Sequence, residues 1–419
     1  MVMEVYDFSL KPTEAIAQAH QASLVLSTTK GIERSRGVQA MAQALKDSFD
    51  DILEANTLDL ETSREMAVPE LISDWLKLTP ERLQRAIDIL QRLGELSDPI
   101  RRVMNAPYQL DNAQTYSQLM PLGVIALIYE AFPELGAITA GFCLKTGNSL
   151  ILRGGSEASN SNLVIAQALK VALEETGLPP GCVEILSSEQ GASIRDLITQ
   201  SRYLDLVIPY GRPTLLEQVM RQATVPVLRS AMGNCYLYWS ATGKLDMVEW
   251  VVLDSQASEP DPVNAIEKIL INRDANPSAW QSLWTSLKKK GFQLRGDAKL
   301  VAEFPQQLTL AEESEWSQPY LGKIIAFKEV DHLESAIVWM NQHSSGHADC
   351  LVTESYQESR QFALGIDSAL VYINSSPRFS RNPKWGDSVF LGISNQKGYR
   401  RGMISLEKLT TMKQVVQGN

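Results

Sequence analysis

Cysteine and histidine are scarce in this chain, four of each among 419 residues, and neither is grouped for metal binding or cross-linking. Cys143, Cys182, Cys235 and Cys350 lie far apart and form no CxxC pair, which excludes a structural zinc site and a disulfide framework. Four reduced, mostly buried thiols and no metal are expected. Excess positive charge is also missing, since 49 acidic residues against 39 basic ones give a formal net charge of −10. Such a chain repels phosphate backbones and anionic lipid, so nucleic acid is not expected as a partner. No run approaches the roughly 18–20 apolar residues of a membrane span, and none is expected. The opening residues MVMEVYDFSLKPTEAIAQA carry Glu4 and Asp7 and lack a basic segment followed by an apolar one. No secretory signal is read there, and the cytoplasm is the expected compartment. The dinucleotide fingerprint GxGxxG, the phosphate loop of nucleotide hydrolases, the GxSxG elbow and the HExxH helix are all absent.

What is present is an ordinary globular composition, 44% hydrophobic and 21% charged, in a chain long enough for two or three domains. Residues from about Thr13 to Leu96 read as helices. In TPERLQRAIDILQRLGEL, Thr79 can cap, Pro80 suits the first turn, and Leu83, Ile87 and Leu90 share a face. From Pro121 the pattern becomes β-α-β-α-β, through GVIALIYE, AITAGFCLKTG, SLILRGG, SNLVIAQALKVALEETG and CVEILSS, with Gly147 and Gly177 marking helix ends. Strands apolar on both faces, such as Val124 to Ile128, suit a parallel sheet covered on each side. The alternation continues through SIRDLITQS, LDLVIP, PTLLEQVMRQA, VPVL and CYLYW, and a second β/α series follows Asp254. PYQLDNAQTYSQLMP reads as an exposed hairpin with Asp111-Asn112 at its turn.

Single motifs add little. Arg153-Gly154-Gly155, ahead of a helix, could cradle a phosphate, although a plain strand-to-helix turn is the simpler reading. His347 and Asp349 could form a general-base pair or a solvated turn; His20, His332 and His343 show no partner spacing. Trp239, Trp250, Trp280, Trp284 and Trp316 read as packing residues.

Longer segments are more specific. LIYEAFPELGAITAGFCLKTGNSLILRGGSEA, followed in order by GLPPGCVEIL, LDLVIPYG, GNCYLY, HADCLVTES, VYINSSPRF, GISNQK and RGMISLEKLTT, resembles the γ-glutamyl phosphate reductase (glutamate-5-semialdehyde dehydrogenase) family of the aldehyde dehydrogenase superfamily. The resemblance covers nearly the whole chain. It implies an α/β, aldehyde dehydrogenase-like fold with three parts: residues 1–253 as a helical lead-in and Rossmann-like nucleotide lobe with a hairpin at about 106–121, residues 254–370 as a catalytic-type α/β lobe, and residues 371–419 as a return segment ending in an oligomerisation strand near Ser405 to Thr411. It also implies NADPH, bound near Lys145, Arg153, Gly154, Gly155, Pro209 and Gly211, and pairing into a homodimer or a mixed dimer with an active paralogue, with any other protein partner unknown.

The reactive positions depart from the family pattern. The segment resembling N-A-K-T-Q-R-P-S-x-C-N-x-x-E reads DSQASEPDPVNAIE, so Val263 stands at the nucleophile position beside a retained Asn264, and Gln256, Glu259 and Asp261 replace polar or basic residues. An isopropyl group has no lone pair for thioester chemistry. Glu134 replaces an Asn implied to steady the oxyanion, Phe390 replaces a carboxylate, and Tyr210 and Arg212 replace the Arg and Gly of a loop beside the cofactor. The reading expects a catalytically inactive homologue, with no intact catalytic residue and with NADPH binding weakened or lost, acting as a binding, regulatory or assembly subunit. Its alternative is an active NADPH-dependent reductase of proline biosynthesis, or a related aldehyde oxidoreductase.

Overall fold

The computed structural model describes residues 12–100, 102–106, 108, 113–186, 193–257, 262–398 and 400–418. The chain forms two compact units. The first holds the described residues up to Arg229, with Arg381–Leu391 and those from Ile404 onward; the second holds Ser230–Ser380 and Gly392–Met403.

Unit 1 begins with α1 (Pro12–Thr28), α2 (Gly31–Asp47), α3 (Phe49–Glu65), α4 (Glu70–Leu76) and α5 (Pro80–Glu95). The start of α5 is fixed by Thr79, whose hydroxyl accepts the Arg82 N–H at 3.2 Å, and by Pro80 in the first turn. Leu83, Ile87 and Leu90 on its inner face are fully buried. After β1 (Val103–Asn105) and β2 (Ala113–Pro121) comes the α/β core: β3 (Val124–Tyr129), α6 (Pro133–Lys145), β4 (Ser149–Gly154), α7 (Ser159–Glu175), β5 (Val183–Ile185), α8 (Ile194–Ile198), β6 (Leu206–Tyr210) and α9 (Pro213–Gln222). Gly147 and Gly177, two residues past α6 and α7, adopt φ of +73° and +71°, where a side chain would be strained.

Strands β3 to β6 form a parallel sheet in the order β5-β4-β3-β6. Val124, Ala126 and Ile128 share a core with Ala15, Ile16 and Ala19 of α1 and with Leu197 and Ile198 of α8. On the opposite face the Tyr129 hydroxyl donates to Asn162 of α7 at 2.9 Å, so β3 is buried on both sides. The segment VPVL contributes only a single bridge, Val227 to Val207.

A three-stranded antiparallel sheet joins β1, β2 and a C-terminal strand, Thr410–Gly418, which pairs with β2 along its whole length. That strand starts later than the expected Ser405 to Thr411, because Leu406–Leu409 form a 3₁₀ turn. Asp111 and Asn112, the expected hairpin turn, lie outside the described residues.

Unit 2 contains β7 (Cys235–Trp239), α10 (Leu245–Ser255), β8 (Ile266–Asn272), α11 (Pro277–Lys289), β9 (Gln293–Gly296), α12 (Ala298–Glu303), β10 (Thr309–Leu310), β11 (Ile324–Val330), α13 (Leu333–His343), β12 (Ala348–Val352), α14 (Tyr356–Gly365) and β13 (Leu370–Ile373). All seven strands are parallel, in the order β10-β9-β11-β8-β7-β12-β13. The boundary between units therefore falls at Arg229/Ser230 and not at 253/254, since β7 pairs with β8 and β12 in the second sheet. The return segment is divided as well, with Arg381–Leu391 in unit 1 and Gly392–Met403 in unit 2.

Candidate active site

In unit 1 the chain runs from β3 to β4 and β5 on one side and then back to β6 on the other, so the topological switch lies between β3 and β6. Open parallel sheets bind ligands there, beyond the carboxyl ends of the strands. Beyond β6, Gly211 has φ of +149°, and a Cβ on it would lie 2.6 Å from Glu130 Oε2. That absence lets Arg212 fold onto Glu130: its N–H donates to Oε2 at 2.8 Å and its Nη2 to Oε1 at 2.9 Å. Arg212 is also the N-cap residue of α9, and its half-exposed guanidinium stands at the start of that helix. Beyond β4, a Cβ on Gly155 would lie 2.1 Å from Glu157 Oε1, which accepts the Ala131 N–H at 2.9 Å. Burial pushes the Glu157 carboxyl upward. Gly154 likewise leaves room for Asn162, and Pro209 is buried within β6.

Other expected residues are placed differently. The Lys145 ammonium donates to Ser35 Oγ at 2.7 Å, to the Gly94 carbonyl at 3.1 Å and to the Leu96 carbonyl, which ties α6 to α2 and the end of α5. Burial lowers its pKa. The Arg153 guanidinium donates to the Gly154 carbonyl, and burial lowers its pKa, with Glu157 opposing. The Tyr210 ring is buried edge-on against Phe132, and its hydroxyl accepts from Arg381 at 2.6 Å. The expected obstruction by Tyr210 and Arg212 is therefore corrected: one side chain is packed inward and the other is held on Glu130. The glycines that end or follow β4 and β6 thus make room for Asn162, Glu157 and Glu130, which line these strand ends.

Glu134 requires a similar correction. Its carboxylate is buried, and both oxygens accept from Arg82, at 2.6 and 2.8 Å from Nη2. A paired, charge-neutralised carboxylate does not exert the repulsion expected of a free one.

In unit 2 the loop into β7 is strained. Gly233 and Asn234 both have left-handed backbones, φ of +67° and +54°. The pairing of β7 with β8 is irregular, with Cys235 opposite Ile266 and Tyr236 opposite Lys268, so Glu267 is bulged. Its carboxylate accepts the N–H groups of Asn234 (2.8 Å), Tyr320 (2.8 Å) and Leu321 (2.9 Å). Strain and bulges of this kind cluster at functional sites. Immediately after them stands Cys235, whose Sγ lies 3.3 Å from His347 Nε2. The same nitrogen is 2.7 Å from the Val263 carbonyl oxygen, and His347 Nδ1 is 2.8 Å from Ser345 Oγ. Burial pushes the Cys235 thiol well up, with Asp349 next in effect.

Val263 is fully buried, and its carbonyl also accepts the Gly233 N–H at 2.9 Å. Asn264 donates to the Pro377 carbonyl at 2.6 Å. Asp349 accepts the Tyr236 N–H at 2.8 Å and the hydroxyls of Ser344 and Ser368, and burial raises its pKa to about 6. His347 thus sits beside a thiol that sequence reasoning passed over; the signal available was the strained Gly-Asn-Cys run. Glu259 and Asp261 lie outside the described residues, while Gln256 donates to the Ile266 carbonyl at 3.0 Å. No cluster of three metal-ligating side chains occurs among the described residues. No helix among them is long and apolar enough to cross a membrane.

The sequence profile of the aldehyde dehydrogenase family matches residues 10–233. The chain is 56% identical to gamma-glutamyl phosphate reductase 2 of Synechocystis sp., over 96% of this chain and 95% of that protein. It is 39% identical to gamma-glutamyl phosphate reductase of Gloeobacter violaceus, over 96% of each chain. Its structure is similar to crystalline gamma-glutamyl phosphate reductase of Thermotoga maritima, with a TM-score of 0.88, 33% identity and coverage of 97% and 98%. These findings overturn the expectation of an inactive binding or assembly subunit. A chain this similar, end to end, to proteins named as reductases is not placed outside the enzymes by the changes at its reactive positions, and the corrected surroundings of Glu134 and Arg212 remove two of the supporting arguments.

Proposed function

Because the chain belongs to the gamma-glutamyl phosphate reductases of the aldehyde dehydrogenase family, we propose that it reduces γ-glutamyl phosphate to glutamate-5-semialdehyde and phosphate, with NADPH as hydride donor. The observation that carries this reading is similarity along 96% of the chain to a reductase at 56% identity. The strand ends of unit 1 support the cofactor assignment. An open parallel sheet takes its ligand at the switch between β3 and β6, and Arg212, half exposed and paired with Glu130, stands beside it. When bound, NADPH supplies a hydride; the chain's task is to bind and orient it.

The cytoplasm is the proposed compartment and a homodimer the proposed assembly. The C-terminal strand is an edge strand nine residues long, with Met412 and Val416 half exposed, and an uncovered edge of this length favours pairing with a second copy. Light scattering on the purified chain tests the assembly. The activity is tested in the oxidative direction, by following NADPH formed from glutamate-5-semialdehyde, NADP and phosphate. Turnover that requires all three is expected, and its absence would overturn the reading.

A further inference from the structure

We propose that Lys397 and Arg401, held side by side on Asp367 within unit 2, bind the phosphate group of the reaction; the proposal rests on the reductase reading above. That reading requires a seat for phosphate, first as part of the acyl phosphate and then as the free product. The segment at residues 254–267, which leads into β8, offers no cation for it, since it contains neither Lys nor Arg. Positive charge has to come from elsewhere in the fold.

A short hairpin supplies it, with Ile393 and Ser394 paired antiparallel to Met403 and Gly402. Its tight loop rests on left-handed glycines, with φ of +118° at Gly398 and +97° at Gly402. The hairpin is seated at the amino ends of the unit 2 strands. In the loop into β7 the Ala231 N–H donates to the Ile393 carbonyl at 2.9 Å, and in the loop into β12 the Ser345 carbonyl accepts from the Asn395 amide. Ser345 in turn donates to the Gly233 carbonyl at 2.9 Å, and the Gly233 N–H donates to the Val263 carbonyl at 2.9 Å. The basic loop thus borders the segments that carry Asn234, Val263 and Asn264.

Charge in this loop is in excess. Lys397 Nζ lies 2.6 Å from Asp367 Oδ2, while Arg401 Nη2 donates to Asp367 Oδ1 at 3.0 Å and to the Asp367 carbonyl at 2.9 Å. One carboxylate therefore serves two cations and leaves one positive charge over, in a chain whose formal net charge is −10. The hydrogen bond from Lys397, with that from Arg401 behind it, holds the Asp367 carboxyl below its ordinary pKa, so it stays ionised and keeps the two cations together. Donors remain to spare. Lys397 is 74% exposed, and its ammonium carries three protons for one carboxylate contact; Arg401 is 27% exposed, engages Asp367 through Nη2 alone, and its buried Nε has no acceptor. A buried donor without an acceptor is costly, and phosphate oxygens are the acceptors that a guanidinium fork and an ammonium bind best. Two cations suit a dianion better than the singly charged α-carboxylate of a glutamyl substrate.

Two measurements test the proposal. The first is oxidative turnover with phosphate, NADP and glutamate-5-semialdehyde each varied in turn, for wild type, Lys397→Ala, Arg401→Gln and the conservative Lys397→Arg. Each loss of charge should raise KM for phosphate at least about tenfold, the scale of one charge-assisted contact, and leave KM for the other two substrates within about twofold. Lys397→Arg should stay close to wild type. An unchanged KM for phosphate would overturn the proposal, whether KM for the aldehyde rises instead, which would seat its α-carboxylate here, or all rates fall together, as they would for a mere brace of the hairpin. The second measurement needs no turnover: inorganic phosphate is titrated by calorimetry into wild type and into the double variant Lys397→Ala with Arg401→Gln. Binding should be seen in wild type and lost in the double variant. A wild type that binds phosphate no more tightly than the double variant would overturn the proposal and leave the reductase reading intact. Phosphate binding confined to a wild type without turnover would support the cation pair and overturn the reductase reading instead.

Discussion

The two parallel sheets present their chemistry at opposite ends. In unit 1 the distinctive groups follow the strands: Glu130 after β3, Gly155 after β4, and Gly211 with Arg212 after β6. In unit 2 they precede or open the strands: Cys235 begins β7, Val263 and Asn264 lead into β8, and His347 leads into β12. The carboxyl end of a parallel strand delivers the chain to a helix N-terminus, whose N–H groups suit an anion. The amino end gives no such donors. There unit 2 brings side chains together from three distant segments, on a backbone strained at Gly233 and Asn234. At one end a Glu130–Arg212 pair and glycines follow the strands; at the other a buried thiol and an imidazole meet.

That contrast can be tested by substitution, beginning with the largest effect. Arg82→Ala leaves the Glu134 carboxylate buried without its partner, and breaking such a pair costs about 3–5 kcal/mol. Urea unfolding should show this loss, with most of it recovered when Glu134→Gln is added; a loss below 1 kcal/mol would mean that Glu134 has another partner. Gly233→Ala should follow. Its left-handed backbone costs about 1–2 kcal/mol for an L-residue, and its Cβ would lie 2.8 Å from Pro319 Cβ. Turnover should fall while NADPH affinity is unchanged, because the damage is confined to the Cys235 loop.

Arg212→Gly should do the reverse. It removes the cation and leaves Glu130 facing the phosphates, so calorimetry should show NADPH binding about tenfold weaker, ~1.4 kcal/mol. Tighter binding would mean that Arg212 obstructs the site. The smallest effect is expected from Asp349→Asn. Burial raises the Asp349 pKa to about 6 in the folded chain from the ordinary 3.8. The folded state therefore binds more protons than the unfolded state between about pH 4 and 6, and stability falls as pH rises through that window. The Asn variant should lack this component of the slope, and an unchanged slope would show that Asp349 does not titrate there.

Much of the fold was legible because it rests on local rules. The Thr79-Pro80 start of α5, the glycines after α6 and α7, and the doubly apolar β3 follow from capping, backbone freedom and two-sided burial. The unit boundary was not legible, because only sheet pairing shows that β7 belongs with β8 and β12. At the site, Gly154, Gly155 and Gly211 could be named from the strand-to-helix pattern, whereas the environments of Glu134 and Arg212 could not. Their charges are set by Arg82 and Glu130, 52 and 82 residues away. Cys235 and His347 are separated by 112 residues, a juxtaposition that no local spacing encodes.

The most direct test follows the reaction itself. Wild-type protein is mixed with glutamate-5-semialdehyde and NADP, with and without phosphate, and NADPH absorbance is followed. The account predicts sustained NADPH formation only when phosphate is present. No NADPH under either condition would contradict it.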